Sequence, residues 1–185
     1  MKIGLDIDNV LAHTFRDLAG YFNKHMGLPG ETDPNEVVRI MREDKLKMVS
    51  YWFTTWRKRL LTQAAPVEGA VETLLEWQPL HQLVLITSRL PLFNRQTKEW
   101  LNKHGFPYHE LHHARELTKF KKARGCELFV EDNLAEAEIL ADHCRTVLLV
   151  DQPWNRRPTA KKNIVRVKDW AEIRAYRPDG SASKR

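Results

Sequence analysis

The chain has 185 residues, 42% of them hydrophobic and 29% charged, with a formal net charge of +6. That is enough apolar material for one domain with a substantial core and too little for two, and the charged fraction does not suggest a globally disordered chain. The basic excess, 30 Lys and Arg against 24 Asp and Glu, favours anionic ligands such as phosphate esters but is too small and dispersed to mark a nucleic-acid binder.

The first predicted element is a strand over Ile3–Ile7, entered directly from the N-terminus of "MKIGLDIDNV" with no secretory pattern. Side chains alternate along a strand, so Asp6 and Asp8 face one way and Ile7 faces the core. Two carboxylates that close repel unless a cation sits between them or one takes a proton. Such hard oxygen ligands suit magnesium, which binds one or two carboxylates together with a substrate phosphate. The alternative is that the chain has already left the strand and both aspartates are solvated.

From Thr14 to Ala65 no strand is evident. "LPGETDPNE" is rich in turn residues and "VVRIMREDKLKMVSYWFTTWRKRLL" predicts one or two helices, so a small helical insertion is expected over residues 15–65. A helix in "VEGAVETLLEWQ" follows, then a strand over Leu83–Thr87 that ends in Thr87 and Ser88, hydroxyls suited to a phosphoryl oxygen. The next helix, "NRQTKEWLNKHG", is closed by Gly105. His109, His112 and His113 in "HELHHAREL" complete no zinc spacing and are read as surface or loop residues. "TKFKKARG" supplies Lys119, Lys121 and Lys122. A strand over Leu128–Val130 leads into the acidic pair Glu131 and Asp132, followed by a helix in "NLAEAEILADHC" and a strand over Thr146–Val150. In "DQPWNRR", Asp151 reads as a turn residue and Trp154 as a lid over the sheet edge, neither with a catalytic role. The polar end, "RPDGSASKR", predicts a flexible tail over 177–185.

Strands apolar on both faces and alternating with helices predict an α/β fold of three layers, a parallel sheet covered on both sides. Cys126 and Cys144 are spaced for neither metal nor motif and read as small core residues of a reducing compartment. No apolar run reaches membrane-spanning length, so a cytoplasmic location and no membrane partner are expected.

"DIDNV", "ITS", a lysine and "VED", in this order, resemble the four motifs of the haloacid dehalogenase superfamily of phosphohydrolases, over Lys2 to about Arg156. The helical insertion after the first motif, "EDN" and "VLLVDQPWNR" are most similar to its 5′(3′)-deoxyribonucleotidase-like branch. The resemblance implies a Rossmann-like core at 1–14 and 66–176, with residues 15–65 as a cap. It implies a magnesium-dependent phosphatase in which Asp6 is the nucleophile that forms an aspartyl-phosphate. Asp8 would be general acid and then general base, Thr87 and Ser88 would hold the phosphate, and Asp132 with Glu131 would complete a metal site begun by Asp6 and Asp8. A phosphate-contacting lysine is also implied. Lys121, eleven residues before Asp132, is favoured, and Lys119, thirteen before, is kept.

The expected substrate is a small phosphorylated molecule, a (deoxy)nucleoside monophosphate first. Sugar phosphates, other small metabolites and nucleic-acid 3′-phosphate ends stand as alternatives, as does a non-catalytic nucleotide-binding module. In the cap, helical spacing sets Trp52 and Trp56 on one face beside Phe53. These rings either anchor the cap or stack on a nucleobase. The sequence leaves the oligomeric state open, with a homodimer among the options.

Overall fold

The computed structural model describes residues 1–29, 33, 36, 39, 40, 43 and 45–176. The predicted tail at 177–185 and much of the turn-rich stretch after Leu28 lie outside the described residues. Among the described residues six strands, β1 (Lys2–Leu5), β2 (Gln82–Thr87), β3 (Glu110–His113), β4 (Leu128–Glu131), β5 (Thr146–Val150) and β6 (Ile164–Val167), form one sheet. Every pairing is parallel and the order is β3-β2-β1-β4-β5-β6.

Alternation along each strand feeds two cores. Leu83, Leu85, Leu128 and Val130 pack on one face with Leu74 of α3 (Ala70–Trp77), Trp100 of α4 (Asn94–Lys103) and Ile173 of α6 (Trp170–Ala175). Val84, Ile86 and Phe129 face the other way, onto Leu134, Ala137 and Leu140 of α5 (Leu134–Leu140), where both cysteines are also buried. Gly4 sits on this second face because a Cβ there would lie 2.3 Å from the Phe129 ring. The three layers expected from the apolar strands are present.

Two strands escape the sequence pattern. β3, "ELHH", is half-buried at every position and carries no apolar run, because it is the sheet edge. His112 and His113 are therefore strand residues, while His109, just before the strand, is exposed as expected, its Nδ1 accepting from Leu83 N at 3.0 Å. β6, "IVRV", closes the other edge, its apolar run broken by the exposed Arg166. β1 ends at Leu5, not Ile7, although Asp6 N still donates to Val130 O at 3.0 Å. Gly105, at φ 72°, does end α4 as expected.

The helices α1 (Thr14–Met26) and α2 (Lys45–Arg57) share a small core of Phe22, Met26, Met48 and Tyr51. A second cluster, Leu18, Leu60, Leu61 and Phe93, joins them to the turn before α4. The chain enters and leaves this helical segment side by side, with His13 N donating to Ala65 O at 2.9 Å.

Candidate active site

The strand order reverses direction between β1 and β4, and an open α/β sheet binds its ligands outside the carboxyl ends of the strands at such a point. Asp6 follows β1 there and Glu131 ends β4, with Asp132 after it. Asn9, in the left-handed region at φ 59°, turns the chain away from β1 and fixes the turn with its side chain. Its Oδ1 accepts from Phe15 N at 2.8 Å and its Nδ2 donates to Asp132 Oδ2 at 3.1 Å.

Lys119 belongs to a short 3₁₀ turn and is 2% exposed. Its Nζ donates to Glu131 Oε2 at 2.8 Å and lies 2.9 Å from Asp6 Oδ1. The second contact pairs the ammonium directly with the buried Asp6 Oδ1. Burial disfavours the ammonium, but the charges of Asp6 and Glu131 outweigh it and push its pKa above the usual lysine value. Glu136 steadies the turn by accepting from the backbone N–H groups of Leu117 and Lys119, the latter at 3.0 Å. The preference for Lys121 is corrected here. Lys121 is exposed, with its ammonium 5.8 Å from the centre of the Phe120 ring. Side chains two apart in a tight turn point different ways, and sequence spacing cannot rank them.

Asp6, Glu131 and Asp132 bring carboxylate oxygens within 4.8 Å of one another, all three residues buried. Glu131 Oε1 is held by Asp132 N and Asn133 N, both at 3.2 Å, and Asn133 caps α5 through Ala135 N at 3.0 Å. Burial and the charges of Glu131 and Asp8 push Asp6 up to about 7 despite Lys119. Burial, Glu131 and Asp6 push Asp132 well above the usual carboxyl range. With all three ionised, the Lys119 ammonium offsets one of their three negative charges in a buried place. The remaining negative charge and the hard oxygen donors fit a divalent cation of the magnesium kind.

The carboxylate of Asp8 lies outside that cluster, against its reading as a metal-ligating side chain. It accepts from Thr14 Oγ1 and from Arg89, whose Nη2 is 2.8 Å from Oδ1 and whose Nε is 3.0 Å from Oδ2. Burial alone would raise its pKa, but the guanidinium holds it below the usual range. The sequence reading missed Arg89. It directly follows Thr87 and Ser88, but a lone arginine at a strand end carries no pattern. Thr87 is buried, its Oγ1 accepting from Arg89 N at 3.1 Å, and Ser88 is exposed at the rim.

A cavity of about 810 Å³, its lining including Asp8, Ser88 and Asp132, opens beside these groups. Its walls carry Phe15, Phe22, Tyr51, Trp52 and Trp154. The Phe15 and Trp154 rings lie 4.9 Å apart, and Trp154 Nε1 donates to Asp132 Oδ2 at 3.2 Å. Trp154 is thus a site residue and not a lid on the sheet edge. Of the three aromatic residues expected to meet substrate, only Trp52 lines this cavity. Phe53, 61% exposed, and Trp56, 42% exposed, face away from it, Trp56 into a smaller cleft beside Arg57 and Arg95. α2 turns its Tyr51 side inward, so the outer residues of the run cannot reach the site.

Over residues 1–177 the chain matches the family described as "5′ nucleotidase, deoxy (Pyrimidine), cytosolic type C protein". A nucleotidase of Clostridium acetobutylicum is 33% identical, the alignment covering 94% of this chain and 91% of the relative. A Halalkalibacterium halodurans protein provisionally named a nucleotidase is 30% identical over 95% of this chain and 91% of its own length. The fold is shared with a haloacid dehalogenase-like hydrolase from Streptococcus pneumoniae, at TM-score 0.68, 13% identity, and 95% and 97% coverage of the two chains. It is also shared with YfnB from Bacillus subtilis, solved bound to magnesium, at TM-score 0.59, 11% identity, and 93% and 96% coverage.

Proposed function

The chain belongs to the 5′ nucleotidase, deoxy (Pyrimidine), cytosolic type C family and is a phosphohydrolase of the haloacid dehalogenase superfamily, and from that membership we propose that it hydrolyses nucleoside monophosphates in two steps at Asp6. In this reading Asp8, ionised beside Arg89, first takes the proton of the substrate's phosphate monoanion; a carboxylate oxygen of Asp6 then attacks phosphorus and the ester oxygen leaves with that proton from Asp8. Asp8 then takes a proton from the water that frees phosphate from Asp6, so one difficult displacement becomes two easier ones. Lys119 holds charge beside the attacking carboxylate, and Thr87 and Ser88 bind phosphoryl oxygens. Asp6, Asp132 and Glu131 would hold magnesium, which when bound supplies positive charge against the phosphoryl oxygens. Residues 15–65 act as the cap that covers the substrate.

The observation that carries the nucleotide reading is one cavity lined both by Asp8, Ser88 and Asp132 and by five aromatic rings. The test is phosphate release from a panel of ribo- and deoxynucleoside monophosphates, with magnesium and with a chelator. Metal-dependent release, fastest from a nucleotide, is expected; no metal-dependent release from any ester sinks the proposal.

Phosphate contacts are common to every ester, so choice among substrates falls to the rings. Phe15→Leu is expected to slow nucleotide turnover about tenfold, since one base–ring stack contributes about 1–3 kcal/mol. Turnover of para-nitrophenyl phosphate should change much less, and Phe53→Leu should change neither. Equal losses on both substrates in folded Phe15→Leu would make that ring structural.

Magnesium binding also has a pH signature in stability. Asp6 and Asp132 have folded pKa values raised above the unfolded one, 3.8 for aspartate, so the folded state holds their protons more tightly. Their contribution to stability is complete below the unfolded value and is lost as pH rises through about 7 for Asp6. A cation on the ionised cluster offsets that loss. The rise in Tm on adding magnesium should therefore be larger at about pH 8 than at about pH 5.5. A rise that shrinks with pH would count against this cluster as the metal site.

A further inference from the structure

We propose that Arg89 is the positioning residue for Asp8, holding that carboxylate where both half-reactions need it; this rests on the phosphatase reading above. The turn that carries Asp8 is closed by Asn9 N donating to Ala12 O at 2.7 Å and Ala12 N donating to Ile7 O at 2.9 Å, which fixes where the residue stands but not how its carboxylate is turned. Asp8 lies three residues past the end of β1, beside the left-handed Asn9, and its side chain is 27% exposed. The Arg89 side chain, by contrast, is 2% exposed and clamped on several sides. Nη1 donates to Thr97 Oγ1 of α4 at 3.3 Å, and the guanidinium carbon stands 6.0 Å from the centre of the Trp100 ring. Its own backbone is tied at both ends, N–H to Thr87 Oγ1 at 3.1 Å and C=O to the ring Nδ1 of His113 at 2.8 Å. The guanidinium is thus held by α4, and the backbone that carries it by β2 and β3, before it meets Asp8.

From that frame, Nε reaches both carboxylate oxygens, at 3.1 and 3.0 Å, and Nη2 reaches Oδ1 at 2.8 Å. A planar fork sets the tilt of a carboxylate as well as its place, which a lysine ammonium does not. Both half-reactions use Asp8, in the first to protonate the leaving oxygen and in the second to take a proton from water. Misplacement by about an ångström costs roughly 100-fold in rate. Arg89 also borders the cavity, so a direct contact with substrate is the rival role, and the kinetics separate the two.

The experiment uses the full chain with magnesium, comparing wild type, Arg89→Met and Arg89→Lys. Positioning predicts a kcat about 100-fold lower on nucleotides, a KM within about threefold, and no recovery with lysine. On para-nitrophenyl phosphate the leaving group needs no proton, so only the hydrolysis of the phosphoenzyme should slow. Arg89→Met should then release a stoichiometric burst of nitrophenolate followed by slow turnover. An unchanged kcat overturns the proposal. So does a KM about tenfold higher at preserved kcat, which would mark a substrate contact, and so does a lower kcat without a burst, which would mark general damage. If Arg89→Met does not fold, Thr97→Val removes the clamp on Nη1 at constant shape. It should lower kcat several-fold at unchanged KM, and an unaffected kcat overturns the proposal equally. A wild type without metal-dependent turnover fails the phosphatase reading instead, whereas an active wild type with an unaffected Arg89→Met fails this inference alone.

Discussion

Asp6→Asn is expected to abolish turnover, with a loss of at least about 10⁴-fold, while leaving the fold intact. An amide of the same shape keeps the contacts of the side chain but has no nucleophilic oxygen anion to attack phosphorus, and no neighbouring side chain can substitute. Glu131 is fully buried and committed to Lys119 and two backbone N–H groups, Asp8 is committed to Arg89 and Thr14, and Asp132 is held by Asn9 and Trp154. Stability points the opposite way from activity. Burial pushes Asp6 up to about 7, so at about pH 8 the folded state holds an ionised carboxylate that its surroundings disfavour. A neutral amide removes that penalty, and Lys119 still has Glu131 as its partner. The Tm of Asp6→Asn in chelator at that pH should be no lower than that of wild type. Phosphate release and thermal melts on the same preparations check both halves. An active Asp6→Asn would remove Asp6 as the nucleophile.

Lys119→Met should be nearly as damaging to turnover and, unlike Asp6→Asn, should also destabilise the protein. It leaves Glu131 as a fully buried carboxylate without its cation, and breaking a buried pair from one side typically costs about 3–5 kcal/mol. The two effects separate in the double variant Lys119→Met with Glu131→Gln. Neutralising both partners should restore much of the stability and none of the turnover. Lys121→Met is the control. Its ammonium is exposed and touches only the Phe120 ring among the contacts described, so activity should hold and stability should fall by no more than about 1 kcal/mol. Were Lys121→Met inactive and Lys119→Met active, the lysine of the site would have to be reassigned.

The central layer of the fold was legible because parallel strands buried on both faces read as apolar runs. "KIGL", "LVLIT" and "TVLLV" have no other place to go. The edge strands β3 and β6 were hidden because an edge need not be apolar, and β3 gives its positions to Glu110, His112 and His113. In the site, Asp6, Asp8, Thr87, Glu131 and Asp132 were visible as polar residues at the ends of apolar runs, where sheet geometry exposes them to ligands. What stayed hidden depends on direction and not on position. Arg89, Trp154 and Phe15 come from three separate segments, and nothing in their local sequence shows that they meet at one cavity. The Tyr51–Trp56 run showed its rings but not which side of α2 faces inward, so Phe53 and Trp56 were drawn to a site they do not reach.

The covalent intermediate is the most direct test of the account. Enzyme mixed with an excess of a nucleoside monophosphate and magnesium, quenched in acid within the first turnover and digested, should yield a phosphorylated peptide. The phosphoryl group should map to Asp6, and the peptide should be absent when Asp6→Asn is treated in the same way. Turnover of the wild type with no phosphopeptide at any quench time, or with the phosphoryl group on another residue, would contradict it.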